Sequence, residues 1–185
     1  SRSLYPHQLS GGQRQRVVIA IAIVCEPELI IADEPTTALD VTIQEEILAL
    51  ISELVLERNM ALILITHDLG VVAENTDQML VMYAGRIVER GPTQKVFRHL
   101  AHPYTRGLFA SIPDSEKSLN EPSRQLKYSR KKRLSTIPGR VPEFWERSKG
   151  CSFADRCSRT QGKCSSLVPD EIQFDTGHYT TCFSP

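Results

Sequence analysis

From Ser10 onward the apolar positions fall into segments whose spacing switches between helical and extended. Ser10-x-x-Gln13 is a capping-box pattern and opens an apolar helix running to about Val24. Glu28 to Ala32 reads as a buried strand. Ile43, Ile47, Leu50, Ile51 and Leu54 share one face at 3.6-residue spacing, which predicts a core-facing helix from about Val41 to Arg58. Ala61 to Thr66 is a second buried strand, and Leu69 to Glu74 a short helix. Met79 to Tyr83 and Arg86 to Glu89 read as two strands turning at Ala84-Gly85. Thr93 to His99 and Tyr104 to Ser111 follow as helices, separated by His102-Pro103. Strands alternating with helices imply an α/β fold with a parallel sheet and flanking helices.

Past Pro113 the texture changes. Residues 114–136 are polar and aperiodic, carry the basic run Arg130-Lys131-Lys132-Arg133, and read as a linker whose charges are solvated. Ile137-Pro138-Gly139-Arg140-Val141-Pro142 then leads into a tail holding four of the five cysteines. The expected organisation is therefore a core over 1–113, the linker, and a small cysteine-rich module over 137–185.

Bulk properties narrow the function. Of 185 residues, 41% are hydrophobic and 24% charged, a globular balance, and 22 Lys and Arg offset 22 Asp and Glu. With no net field, nucleic acid is not an expected partner. The longest apolar run, Val17 to Cys25, is far shorter than the roughly 20 residues of a membrane span. The start, Ser1-Arg2-Ser3-Leu4-Tyr5-Pro6, lacks the pattern of a secretory signal, so the chain reads as cytosolic.

Candidate chemistry lies at the strand ends. Asp33 and Glu34 close a strand of consecutive apolar residues, where a parallel sheet presents its ligand edge. Asp33 is placed to hold Mg²⁺, and Glu34 to polarise a water attacking a γ-phosphate; alone, Asp-Glu-Pro would more simply be an exposed acidic turn. Ser10, Gly11, Gly12 and Gln13 open a helix whose amides can meet an anion, although an ordinary serine-capped start fits Ser-Gly-Gly equally well. His67 follows the second strand, beside Asp68, and suits a phosphate sensor, against the plainer reading of a structural histidine. The order of these three motifs is what favours the chemical readings.

Leu9-Ser10-Gly11-Gly12-Gln13, the strand Leu29 to Glu34, Thr37-Ala38-Leu39-Asp40 and His67 together resemble the ATPase of ABC transporters. Tyr5-Pro6-His7-Gln8, Ala32 to Val41, His102-Pro103-Tyr104-Thr105 and the four-cysteine tail resemble its oligopeptide/dipeptide importer branch. The resemblance implies a partial P-loop NTPase-like core that pairs head to tail with a second ABC ATPase subunit. ATP with Mg²⁺ would lie between one protomer's phosphate loop and the other's signature. It implies Ser10, Gly11, Gly12 and Gln13 as the signature contact, Asp33 as metal residue, Glu34 as catalytic base, Asp40 as the D-loop aspartate and His67 as the catalytic switch. Transmembrane permease subunits would be direct partners, a peptide-binding protein an indirect one, and the cytoplasmic face of the membrane the location.

The phosphate loop, an adenine-stacking aromatic and the Q-loop have no counterparts in this sequence. The expectation is accordingly a C-terminal portion or split gene product that binds ATP negligibly by itself. A non-catalytic partner donating only its signature is one rival reading, and a soluble ABC-type ATPase of DNA repair or translation another.

Cys151, Cys157, Cys164 and Cys182 lack the paired C-x2-C spacing of structural zinc, and stable disulfides do not suit a cytosolic chain. The resemblance points to a [4Fe-4S] cluster on these four, with zinc as the alternative and an empty reduced site third. Cys25 reads as a buried core residue, and His178 as a loop residue rather than a ligand.

Overall fold

The computed structural model describes residues 4–112, 135–146 and 148–185. Two compact units divide at Thr76/Asp77. The linker expected over 114–136, with its basic run, lies outside the described residues except at its last two positions.

In the first unit, α1 (Gly11–Ile23) leads to β1 (Leu29–Asp33), α2 (Val41–Glu57), β2 (Ala61–Ile65) and α3 (Leu69–Asn75). Strands β1 and β2 pair in parallel with Leu29 opposite Ala61 and Asp33 opposite Ile65. The core forms where the stripe on α2 meets α1: Ile19, Ile47 and Ile51 are buried, with Leu39, Ile43, Leu50, Leu54, Val55 and Leu62 packed around them. An ion pair, Arg16 to Glu46 at 2.8 Å, ties the two helices at their exposed side.

Neither strand is buried on both faces, which corrects the sequence expectation. Ala32 is buried, but Leu29, Ile31, Ile63 and Ile65 all lie exposed. Alternate residues of a strand face opposite sides, and in this unit only the side bearing Ala32 and Leu62 carries cover.

In the second unit, β3 (Gln78–Tyr83), β4 (Arg86–Pro92), α4 (Thr93–Arg98) and α5 (Pro103–Ala110) are followed, after short 3-10 turns, by β5 (Ile172–Asp175) and β6 (His178–Thr180). The sheet here is antiparallel with order β3-β4-β6-β5, so the parallel arrangement expected for the whole core holds only in the first unit. The β3–β4 hairpin turns at Ala84 (φ 47°) and Gly85 (φ 74°), two left-handed positions in succession, as a tight two-residue connection requires.

The tail does not stand apart as a separate module. Its β6 pairs with β4, Glu89 opposite Thr180 and Arg90 opposite Tyr179, so the last strands extend the β3–β4 sheet. A bulge supports this join: Val81 pairs with Glu89 and Met82 with Ile87, and the skipped Val88 is buried together with its neighbour Glu89. An extra residue in one strand lets consecutive side chains turn inward.

Candidate functional site

Local rules build the site in the first unit. Ser10 caps α1, its Oγ accepting from the Gln13 amide at 3.2 Å while Gln13 Oε1 accepts from the Ser10 amide at 2.9 Å. Two of the helix's orphan donors are thereby satisfied reciprocally. Gly11 and Gly12 have a packing reason the sequence did not disclose. A Cβ at Gly11 would meet Leu39 Cδ2 at 2.8 Å, and one at Gly12 would meet Ile43 Cγ2 at 2.8 Å. The start of α1 thus sits against the segment entering α2.

Asp40 is the N-cap of α2, its Oδ1 accepting from the Ile43 amide at 3.1 Å. Asp33 lies exposed at the end of β1. Glu34, the next residue, takes a left-handed φ of 47°, which turns the chain off the strand, and its amide donates to Ile65 O at the end of β2, 2.9 Å away.

The structure brings Glu34 and His67 together, with His67 Nδ1 2.8 Å from Glu34 Oε1. The hydroxyl of Thr37, a residue sequence reasoning placed only within a motif, donates to Glu34 Oε2 at 3.2 Å. The His67 hydrogen bond foremost holds the Glu34 carboxyl below its ordinary pKa, with burial opposing and the Thr37 hydroxyl adding to it. Conversely, the bond to Glu34 and its negative charge raise the His67 imidazole above its usual value. Ser10 and Gln13, by contrast, bond to each other. What the first unit presents is a fixed carboxylate beside an imidazole at a strand edge, with a free acidic neighbour and a glycine-lined helix mouth on the same unit. Such parts suit general-base activation of water near a phosphate.

The second unit holds a cluster of a different kind. Glu89, 1% exposed, accepts from the Ala101 amide at Oε1 and the His102 amide at Oε2, both at 2.8 Å, and Oε1 also lies 2.8 Å from His178 Nε2. His178 is fully buried on β6, so its reading as a loop residue is corrected; its Nδ1 has no partner. A carboxylate directly after the apolar pair Ile87-Val88 was the available signal. His102, also buried, accepts from the Tyr104 amide through Nδ1 at 3.1 Å, and burial pushes its pKa down to about 4.

Cys151, Cys157, Cys164 and Cys182 are free thiols that line one cavity of about 20 Å³, together with His102, Phe153 and Phe183. Arg159, Gln161 and Ser184 each donate a backbone N–H to a sulfur, those of Cys157, Cys164 and Cys182, at 3.4 Å. Burial pushes the thiols of Cys151 and Cys182 up. The donor set suits a metal in kind, yet no group of three or more His, Cys, Asp or Glu among the described residues is arranged to hold an ion. Among the described residues neither the iron-sulfur cluster nor zinc is therefore shown. Cys25 is exposed just beyond α1 rather than buried, because Ile21 in the last turn of that helix and Val24 just past its end face outward.

Comparison with known proteins bears on both units. Residues 88–164 match the family model of the oligopeptide/dipeptide transporter, C-terminal region, and residues 1–37 match that of the ABC transporter. A Brucella ovis protein named as a peptide import ATP-binding protein is 49% identical over 178 residues, covering 96% of this chain and 51% of its own length. A Sinorhizobium fredii protein named as a peptide ABC transporter ATP-binding protein is 49% identical over 179 residues, 97% of this chain and 50% of its own. The solved structure of cbiO1 from Clostridium perfringens, part of the ABC transporter complex cbiONQ, is 39% identical with a TM-score of 0.47, covering 51% of this chain and 38% of that one. The chain belongs to the ABC-transporter ATP-binding family, in its oligopeptide/dipeptide branch. It spans about half the length of the curated relatives it matches. No helix among the described residues is long and apolar enough to cross a membrane.

Proposed function

We propose that this chain contributes the catalytic strand edge and the signature helix of an ATP-hydrolysing site in the ATP-binding subunit of a peptide importer. The observation that carries the reading is the 2.8 Å contact between Glu34 and His67 at the end of adjacent parallel strands. Glu34 accepts the proton of the attacking water, and His67 holds that carboxylate and faces the terminal phosphate. Asp33 would hold Mg²⁺. A single exposed carboxylate fits that ion, which is bound by one or two carboxylates plus the substrate's phosphates rather than by a protein cage. When bound, the ion neutralises charge between the phosphates. Ser10, Gly11, Gly12 and Gln13 offer a hydroxyl and helix-start amides to a nucleotide held by the opposite protomer, and Asp40 fixes the α2 start beside them.

A phosphate loop is absent from the 185 residues, so the nucleotide requires a segment that supplies one. Partners on this reading are a second ATP-binding subunit and membrane permease subunits at the cytoplasmic face, with a peptide-binding protein acting indirectly. The intact Ser10 cap also supports a narrower role, in which the chain donates only its signature to an intact ATPase; mixing the two and finding turnover unchanged counts against that.

The finer reading of the tail, a [4Fe-4S] cluster on Cys151, Cys157, Cys164 and Cys182 with zinc as the alternative, rests on donor chemistry and on the convergence of four thiols. Iron with labile sulfide, zinc, or neither in anaerobically purified protein decides among cluster, zinc and bare thiols. For the catalytic assignment the test is Glu34→Gln in an ATPase assembled from this chain and a phosphate-loop segment. ATP binding should persist while turnover drops by about 10²-fold or more; near-normal hydrolysis removes Glu34 as the base.

A further inference from the structure

The Glu34 carboxylate is held at both oxygens, and one of its two partners has no role in the reading above. His67 Nδ1 meets Oε1 at 2.8 Å, and Thr37 Oγ1 donates to Oε2 at 3.2 Å. Thr37 is itself fixed. Its amide donates to Glu34 O at 3.2 Å, the amide of Glu34 donates to Ile65 O at 2.9 Å, and left-handed backbone at Glu34 (φ 47°) and Ala38 (φ 63°) brackets the turn.

Two bonds do what one cannot. The terminal torsion of a glutamate is broad, so with His67 alone the carboxylate can swing about its Oε1 contact. A second donor on Oε2 fixes the plane of the group. Each carboxylate oxygen has two lone-pair sites, so one bond at each still leaves room for an incoming water. Thr37 is exposed and buries little, so its hydroxyl bond to Glu34 is the contact that distinguishes it from a mere turn residue.

We propose that Thr37 is a positioning residue for hydrolysis, its hydroxyl setting, through Glu34 Oε2, the orientation in which Glu34 meets the attacking water. The proposal rests on Glu34 being the base. Misplacing a reacting group by about an ångström can cost about 10²-fold in rate, and loss of one of two restraints should take a part of that.

The experiment compares Thr37→Val, Thr37→Ser, Glu34→Gln and the Thr37→Val/Glu34→Gln double variant in the ATPase assembled from this chain and a phosphate-loop segment. Steady-state turnover of Mg-ATP and the melting temperature are measured for each. Thr37→Val, which keeps the shape and removes the donor, should lower kcat about tenfold or more with KM within about twofold. Thr37→Ser should recover most of the loss, and the double variant should be no slower than Glu34→Gln. If Glu34→Gln is inactive while Thr37→Val turns over like the parent, the positioning role is wrong and the base assignment stands. Equal loss in the Val and Ser variants, or a loss carried by KM or by melting, likewise overturns it. Should Glu34→Gln keep its turnover, the base assignment fails and takes the proposal with it.

Discussion

Removing the Glu89 side chain should destabilise the second unit more than any other single polar truncation there. The carboxylate accepts from three buried donors, the amides of Ala101 and His102 and the His178 ring, each at 2.8 Å. Glu89→Ala leaves all three without a partner, and an orphaned buried donor costs about 1–3 kcal/mol. Breaking a buried charged partnership by removing one member typically costs about 3–5 kcal/mol. Three orphans give about 3–9 kcal/mol and the broken pair about 3–5, so a loss of at least about 3 kcal/mol is expected, a large share of the roughly 5–15 kcal/mol that holds a domain. Glu89→Gln separates the cases: its amide oxygen at the Oε1 position keeps Ala101 and His178, while its NH₂ group faces the His102 N–H. One orphan remains, so the cost should be about 1–3 kcal/mol. Urea unfolding followed by near-UV circular dichroism reports on Tyr83 and Tyr104, which pack at 4.7 Å in this unit, and amide hydrogen exchange reads Ala101 and His102 directly. The reasoning is refuted if Glu89→Ala lies within about 1 kcal/mol of the parent, or if Gln costs as much as Ala.

Burial lowers the His102 pKa from 6.5 to about 4, so between those values the unfolded chain binds a proton the folded chain refuses. Stability is full above pH 6.5 and falls as the pH drops toward 4, by about 3 kcal/mol; an NMR titration midpoint for His102 near 6.5 would contradict this. Gly150→Ala should unfold or strongly destabilise the cysteine region, since its Cβ would overlap Cys164 O and stand 2.7 Å from the Ser165 carbonyl carbon, both rigid backbone. Its melting temperature is the measurement, and an unchanged value removes the argument. Titration calorimetry of the chain alone with Mg-ATP should show no binding tighter than about millimolar, about 4 kcal/mol; a micromolar affinity would show that the phosphate loop is dispensable.

Local chemistry was legible in the sequence, and long-range pairing was not. The Ser10 and Gln13 box, the α2 stripe and the Ala84-Gly85 turn follow from rules that act within four residues, and each stands where the pattern put it. Glu34 and His67 could be placed at strand ends because a parallel sheet brings those ends to one edge, but their contact joins residues 33 apart and required the β1–β2 register. The tail misled for the same reason in reverse. Its four clustered cysteines suggested a small module of its own, whereas what fixes it is His178, Thr180 and Thr181 meeting β4, some ninety residues away. Nothing in the composition of Ile172 to Thr180 names its partner strand.

The strands of the first unit carry the sharpest lesson about pattern and burial. Consecutive apolar residues in Leu29 to Ala32 and Ala61 to Ile65 are the mark of strands covered on both faces, yet Ile31 is 62% exposed and Ile63 48%. Hydrophobicity alone would orient neither face, since both are equally apolar. The choice is made by α2, whose Ile47 and Ile51 reach Leu62 and leave the odd-numbered side open. The same choice sets the site: Glu34 leaves the strand only by taking a left-handed turn, and it is that turn, held by Ile65 O, that puts its carboxylate within reach of His67 and Thr37 at once. Ala38, the other left-handed residue of the turn, bears a Cβ that glycine would spare. A backbone conformation disfavoured for any side chain, kept at Glu34 and again at Ala38 on the two sides of Thr37, is strain retained for geometry rather than for stability.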